Sequence, residues 1–240
     1  KAGSALLGLW AVVILGLGID GLLGAQALVV LAVIPLALIY VRKDLTLKVD
    51  RTWIKELVQF GYPFIFAGLA FWLFGSMDRW MLAGMSSVEE VGVYSVAFRF
   101  AALVMFVSSA FGQAWSPVAI KIRTDNPEKY RDIYAQVLLL LTFVMLVIGG
   151  GVALFSGELI RLVMTREYFG SALPLCILCF GIVIFSTQHV TAIGISLEKK
   201  TYIFARLSWL TALINLLLNY CLIPRFGSVG AAVATTVSYL

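Results

Sequence analysis

The run YAQVLLLLTFVMLVIGGGVALFS, residues 134–156, carries no charged side chain from Tyr134 to Ser156. Crossing the hydrocarbon core of a bilayer takes about 20 mostly apolar residues. Inside lipid the backbone must satisfy its own hydrogen bonds, so such a run reads as a helix. Its apolar residues do not alternate with polar ones, which argues against a strand of a membrane barrel. Runs of the same kind lie on both sides. Toward the N-terminus they fall at 91–118, 58–84, 21–41 and 4–18; toward the C-terminus they fall at 172–196 and 203–223. A further run begins near 229 and reads as cut short. The expected fold is all-α, a polytopic transmembrane helix bundle of about seven spans plus a truncated last one.

Composition agrees with lipid as the solvent. Hydrophobic residues make up 61% of the chain and charged residues 13%, against about 25% charged in ordinary soluble domains. The net charge of +5 has no basic face on a polar domain behind it, so nucleic-acid binding is not expected. The basic residues cluster between spans instead. Arg42, Lys43, Lys48, Arg51 and Lys55 lie in one loop, Lys121, Arg123, Lys129 and Arg131 in another, and Lys199, Lys200 and Arg206 in a third. The opposite loops hold only Arg161, Arg166 and Arg225, and one of them carries Glu89 and Glu90. The positive-inside rule places the first set in the cytoplasm. Between Asp50 and Val58, Trp53, Ile54, Leu57 and Val58 share a helical face away from Arg51, Lys55 and Glu56. That pattern predicts a short helix lying in the interface, within a linker at 42–57. Both chain ends read as cut, and no signal peptide can be judged.

Several motifs carry bland readings. Gly16-Leu17-Gly18-Ile19-Asp20-Gly21 matches GxGxxG, but spans flank it where a nucleotide site needs a strand. Cys176 and Cys179 form a CxxC deep in an apolar run, and Cys221 is similar; they read as small apolar residues. No metal and no cofactor is expected. Gly61, Gly68 and Gly75 line one stripe, which suits close helix packing. There is no GxSxG, HExxH or P-loop.

Polar residues inside spans are the candidates for function, because lipid makes them expensive. Asp78 and Arg79 sit toward the external end of their span. They read either as an interfacial pair with the arginine snorkelling outward or as lining of a hydrated cavity. Arg99 lies among apolar residues, yet Ser95, Ser109, Gln113 and Ser116 share its face; that register points to a cavity. Ser208, Thr211, Asn215 and Asn219 form a second polar face, with helix packing the competing reading. Gln188 and His189 lie mid-span, and His189 is either a hydrogen-bonded structural residue or a proton carrier. The expectation is that Arg79, Arg99, Gln113, Asn215 and Asn219 converge on one open chamber.

Four stretches together carry a resemblance. They are Ser76–Leu82 (SMDRWML), Val91–Ala97 (VGVYSVA), Arg166-Glu167-Tyr168 with Ala172, and Ile223–Thr235 (IPRFGSVGAAVAT). In order and spacing they resemble the polysaccharide and O-antigen (Wzx-type) flippases of the multidrug, oligosaccharidyl-lipid and polysaccharide exporter superfamily. The resemblance implies a two-lobe transporter of 12–14 helices. Residues 1–41 would be the last two helices of the N-terminal lobe and 58–240 a truncated C-terminal lobe. It implies flipping of a polyprenyl-diphosphate-linked oligosaccharide across a bacterial inner membrane by alternating access. Asp78, Arg79, Arg99, Gln113, Asn215 and Asn219 would line the substrate cavity. The implied partners are the lipid-linked oligosaccharide, membrane lipids and other polysaccharide assembly proteins. A cation-coupled multidrug exporter of the same superfamily is the alternative. A membrane polysaccharide polymerase or ligase fits less well, because no catalytic constellation appears; no enzymatic activity is expected.

Overall fold

The structure is a computed structural model that describes residues 18–42, 51–198 and 200–240. The span expected at 4–18 lies outside those residues except for Gly18, as do Gly16, Leu17, Lys43, Lys48 and Lys199; the rest of the turn expected at Gly16–Gly21 is helical instead, because Gly18–Gly21 form the first turn of the next span. The chain divides into two compact units, 1–54 and 55–240. The first contributes helix α1, Gly18–Val41, apolar apart from Asp20 and Gln26, with Pro35 inside it.

Helix α2 runs unbroken from Arg51 to Met85. Among the described residues no separate interfacial helix precedes the span: from Arg51 on, the amphipathic stretch expected to lie flat forms its first two turns. Helix α3, Val88–Asp125, starts at an N-cap, in which the Ser87 hydroxyl accepts from the Glu90 amide at 3.3 Å. That arrangement satisfies one of the free amides at a helix start and fixes where the span begins. At 38 residues and 1.5 Å per residue, α3 is ~57 Å long, well beyond the ~30 Å hydrocarbon core. Its last turns therefore stand in the interface with Lys121 and Arg123. Helix α4 is Tyr130–Leu154, and the short α5, Ser156–Val163, follows it. A 3-10 turn, Arg166–Ser171, docks on α3 through the Ser171 hydroxyl, which donates to the Val93 carbonyl at 2.9 Å.

The span expected as one helix at 172–196 is broken. Helix α6, Ala172–Ser186, gives way to α7, Gln188–Thr191, and α8, Ile193–Leu197. Helix α6 is the hub of the second unit and packs on α3, α4 and the last helix. It presents Leu175, Leu178, Cys179 and Ile182, all nearly inaccessible, to Ala97, Ala101 and Val104 of α3 and Met145 of α4. Small side chains on α3 let the backbones approach, the main source of attraction where lipid is as apolar as the core. Gly181 serves the same end: a Cβ there would lie 2.6 Å from the Thr236 hydroxyl.

Helix α9, Thr201–Ser238, is interrupted at Gly227, whose φ of 52° and ψ of −131° leave the helical region. The chain reverses there. A Cβ on Gly230 would come 2.6 Å from the Leu222 carbonyl oxygen. Asn219 and Thr235 also bind the same carboxylate, although 16 helical residues would separate them by ~24 Å. The long element is thus two antiparallel arms, the second being the span expected near 229. Six helices among the described residues are long and apolar enough to cross a membrane, and the last of these is the folded-back α9. No strand occurs among the described residues. Gly61, Gly68 and Gly75, expected to pack, would have nothing within 4 Å of an added Cβ; that stripe faces open space.

Candidate functional site

Asp78 is the centre of a buried network. It lies on the inner face of α2 and is 3% exposed. Its carboxylate accepts from the Tyr94 hydroxyl of α3 at 2.5 Å, the Thr235 hydroxyl at 2.8 Å and the Asn219 amide at 2.7 Å. Asn219 also donates to the Asn215 side-chain carbonyl, one turn away, at 3.0 Å. Helices α2 and α3 and both arms of α9 therefore meet on one carboxylate. No Lys or Arg among the described residues lies within ion-pair distance of it. Two buried atoms of the network, Asn215 Nδ2 and Asn219 Oδ1, have no partner among the described residues.

Arg79 points elsewhere. It is half-buried, with its guanidinium 5.0 Å from the centre of the Phe98 ring. That is cation–π distance, and the ring offers it a partial counter-charge.

Arg99 and Gln113 lie on the opposite side of α3. The buried face of that helix is Tyr94, Ala97, Ala101, Val104, Ser108, Trp115 and Ala119. Arg99, Ser109, Gln113 and Ser116 are all exposed, and the Gln113 amide bonds only the Ser109 carbonyl, at 3.3 Å. The expected convergence of Arg79, Arg99, Gln113, Asn215 and Asn219 on one open chamber therefore does not occur. Asn215 and Asn219 are fully buried; their polar face turns toward Asp78, which Asn219 bonds directly, and not toward an open cavity. Arg99 and Gln113 keep an open face.

His189 sits at the break between α6 and α8. Its Nε2 is 3.1 Å from the Ser108 hydroxyl. It fits against α3 only because residue 112 is glycine, since a Cβ there would collide with the imidazole. A cavity of about 370 Å³ lies between α2, α6–α8 and α9, lined by Phe74, Phe185, Tyr239, Gln188, Ser208 and Thr211 among others. No charged residue lines it, and none of the six expected cavity residues does.

Tyr94 and Thr235 were missed as site residues. A signal was present: Asn219 and Thr235 stand eight residues to either side of Gly227, the spacing that a helical hairpin closing at that glycine brings level. No cluster of three metal-ligating side chains occurs among the described residues.

Comparisons with known proteins place this architecture. Residues 2–173 match the family described as polysaccharide biosynthesis protein. The chain is 28% identical over 190 residues to the probable low-salt glycan biosynthesis flippase Agl15 of Haloferax volcanii, covering 77% of this chain and 39% of that protein. It is 26% identical over 198 residues to the probable flippase AglR of the same organism, covering 78% and 37%. The chain thus spans about two fifths of the length of these relatives. Its fold is that of an outward-facing multidrug resistance MATE family transporter of the MOP superfamily, with TM-score 0.81 at 16% identity over 99% of this chain and 56% of the other. A crystal structure of a MATE point mutant matches with TM-score 0.71 at 17% identity, over the same shares of the two chains. This multi-pass membrane chain belongs to the polysaccharide biosynthesis protein family.

Proposed function

We propose that the protein flips a polyprenyl-diphosphate-linked oligosaccharide across the plasma membrane by alternating access, and that this chain supplies one wall of its cavity. One observation carries the reading: the exposed face of α3 holds Arg99, Ser109, Gln113 and Ser116 in one register, interspersed with apolar residues such as Phe106, and the Arg99 guanidinium has no ion-pair partner among the described residues. A lipid-facing helix would not keep Arg99, Ser109, Gln113 and Ser116 in register, because each would bear its own desolvation cost. A helix lining water would. The guanidinium fork suits phosphate oxygens, and Gln113 can bond sugar hydroxyls. The reading needs no bond to break; the tail stays in lipid while one lobe rocks against the other. The named flippase relatives support it. They are archaeal, so nothing in the reading is specific to a bacterial inner membrane.

Arg99→Ala should abolish transport at near-normal abundance, with lipid-linked oligosaccharide accumulating on the inner leaflet. Arg99→Lys should restore activity in part if the positive field is the main contribution, and poorly if the fork matters. Full activity of Arg99→Ala at normal expression would remove Arg99 from the substrate path.

The second reading, a cation-coupled drug exporter of the same superfamily, draws on Asp78. A buried carboxylate with no cationic partner is the kind of group on which a coupling ion acts. Loss of drug efflux with intact glycan assembly after Asp78→Asn would favour it.

A further inference from the structure

The junction of α3 and α4 carries a second group of cations that the cavity reading does not use. Tyr130, the first residue of α4, holds two of them. The guanidinium of Arg123 lies 5.7 Å from the centre of its ring and that of Arg131 lies 5.8 Å from it. Arg131 Nε also donates to the Tyr130 hydroxyl at 3.2 Å. The loop contains Asp125, Glu128 and Asp132, yet none of them pairs with either arginine. Among the described residues the one ion pair is Lys200–Glu198, at 2.8 Å. Lys200 pairs with Glu198 and holds its carboxyl below the usual carboxylate range, with a smaller contribution from Arg123.

The platform under the arginines is rigid. The Tyr130 ring meets Tyr134 edge-on at 5.5 Å, Tyr134 meets Trp115 at 5.2 Å, and Trp115 stacks on Phe111 at 6.1 Å. The Tyr134 hydroxyl donates to the Ala119 carbonyl at 2.7 Å and ties α4 to α3. An aromatic ladder thus climbs from the buried side of α3 to the membrane surface and ends in two guanidiniums. Two like charges held on one ring repel each other, and the ring quadrupole offsets only part of that. Each fork keeps N–H groups that bond nothing, with the planar geometry that matches phosphate oxygens.

We propose that Arg123, Tyr130 and Arg131 form a binding site for the phosphate group of a lipid, at the membrane surface that the positive-inside rule assigns to the cytoplasm. The chemistry is a phosphate ester within reach of two guanidiniums, with its acyl or prenyl chain in the bilayer beside α3 and α4. Two lipids present that group there: an anionic phospholipid and a polyprenyl diphosphate. The site stands on this geometry alone and does not depend on the transport reading.

The test uses the intact protein in nanodiscs of phosphatidylcholine with one fifth phosphatidylglycerol. Native mass spectrometry counts retained phosphatidylglycerol, and farnesyl diphosphate serves as the prenyl competitor. Arg123→Gln with Arg131→Gln should weaken retention about tenfold, the scale of one charge-assisted contact. Lys121→Gln with Lys129→Gln removes the same charge from the same surface and should change retention less than about threefold. Tyr130→Phe should keep retention and Tyr130→Leu should reduce it, because the ring aligns the pair. Displacement of phosphatidylglycerol by farnesyl diphosphate in the unaltered protein assigns the site to both lipids; no displacement assigns it to phospholipid. Unchanged retention in the arginine double variant would overturn the proposal. So would an equal loss in the lysine variant, which reduces the effect to diffuse surface charge. Binding is read without transport, so an inactive flippase leaves this result intact.

Discussion

The two faces of α3 both carry polar side chains and use them in opposite ways. On one face Tyr94 is 1% exposed, and its hydroxyl reaches across to Asp78, on a carboxylate that Thr235 and Asn219 also bind. On the other face Arg99, Ser109, Gln113 and Ser116 stand open and unpaired with any other helix. The first arrangement is dry glue, in which polar groups satisfy one another between helices. The second has partners only if water or a ligand supplies them. Polar residues within spans are therefore not one class. The side of the helix decides whether a residue joins the helices of the lobe or stays open.

The sharpest way to break this contrast is at Asp78. Asp78→Ala strands the Tyr94 and Thr235 hydroxyls and the Asn219 amide in a buried site. Polar contacts between membrane helices are individually modest, so the expected loss is roughly 2–4 kcal/mol. Thermal unfolding in detergent should show a clear drop in melting temperature. An unchanged melting point would mean that the network contributes nothing to the lobe, and the glue reading would fall.

Gly227 tests how the network is assembled. The second arm of α9 is aimed at Asp78 by this one residue, at φ 52°. Its position is clamped as the Glu90 carboxylate accepts from the Ser228 amide at 2.6 Å. Gly227→Ala meets both the backbone strain and the Glu90 side chain, 2.6 Å from a Cβ, at a cost of roughly 1–3 kcal/mol. Part of that loss should vanish in a Glu90→Ala background, where the steric part is gone. Additive losses in a double-mutant cycle would show that Glu90 and Gly227 act independently.

The smallest perturbation gives the cleanest separation of the faces. In a background without Cys176, Cys179 and Cys221, single cysteines at Gln113 and Ser116 should react with a hydrophilic thiol reagent in the folded protein. A cysteine at Asn215 should not react until unfolding. Stability at positions 113 and 116 should stay within ~0.5 kcal/mol of the starting protein. Reaction at 215 as fast as at 113 would erase the distinction between dry and wet faces.

Much of the fold could be read from residue order. Long uncharged runs mark spans because lipid offers the backbone no partner, and the runs from 21–41 onward correspond to helices α1 to α4, the broken sixth span and the first arm of α9. The resemblance carried by Ser76–Leu82 and Ile223–Thr235 led to the same family that the matched residues 2–173 establish. The polar register Arg99, Gln113 and Ser116 was equally legible, because position along a helix fixes which residues share a face.

Hydropathy does not reveal which neighbour a face meets. The stripe Asn215–Asn219 has the same periodic signature as the stripe Arg99–Gln113, and only the packed lobe sends one inward and the other outward. The break at Thr187 escaped for the same reason: it brings His189 against Gly112 of α3, a contact that local composition does not encode. Tyr94, Asp78, Asn219 and Thr235 lie up to 157 residues apart in the chain. The sequence determined that each would be a helical residue in a membrane. Tertiary structure alone, by reversing the chain at Gly227 and closing α2 on α3, decided that they would share one carboxylate.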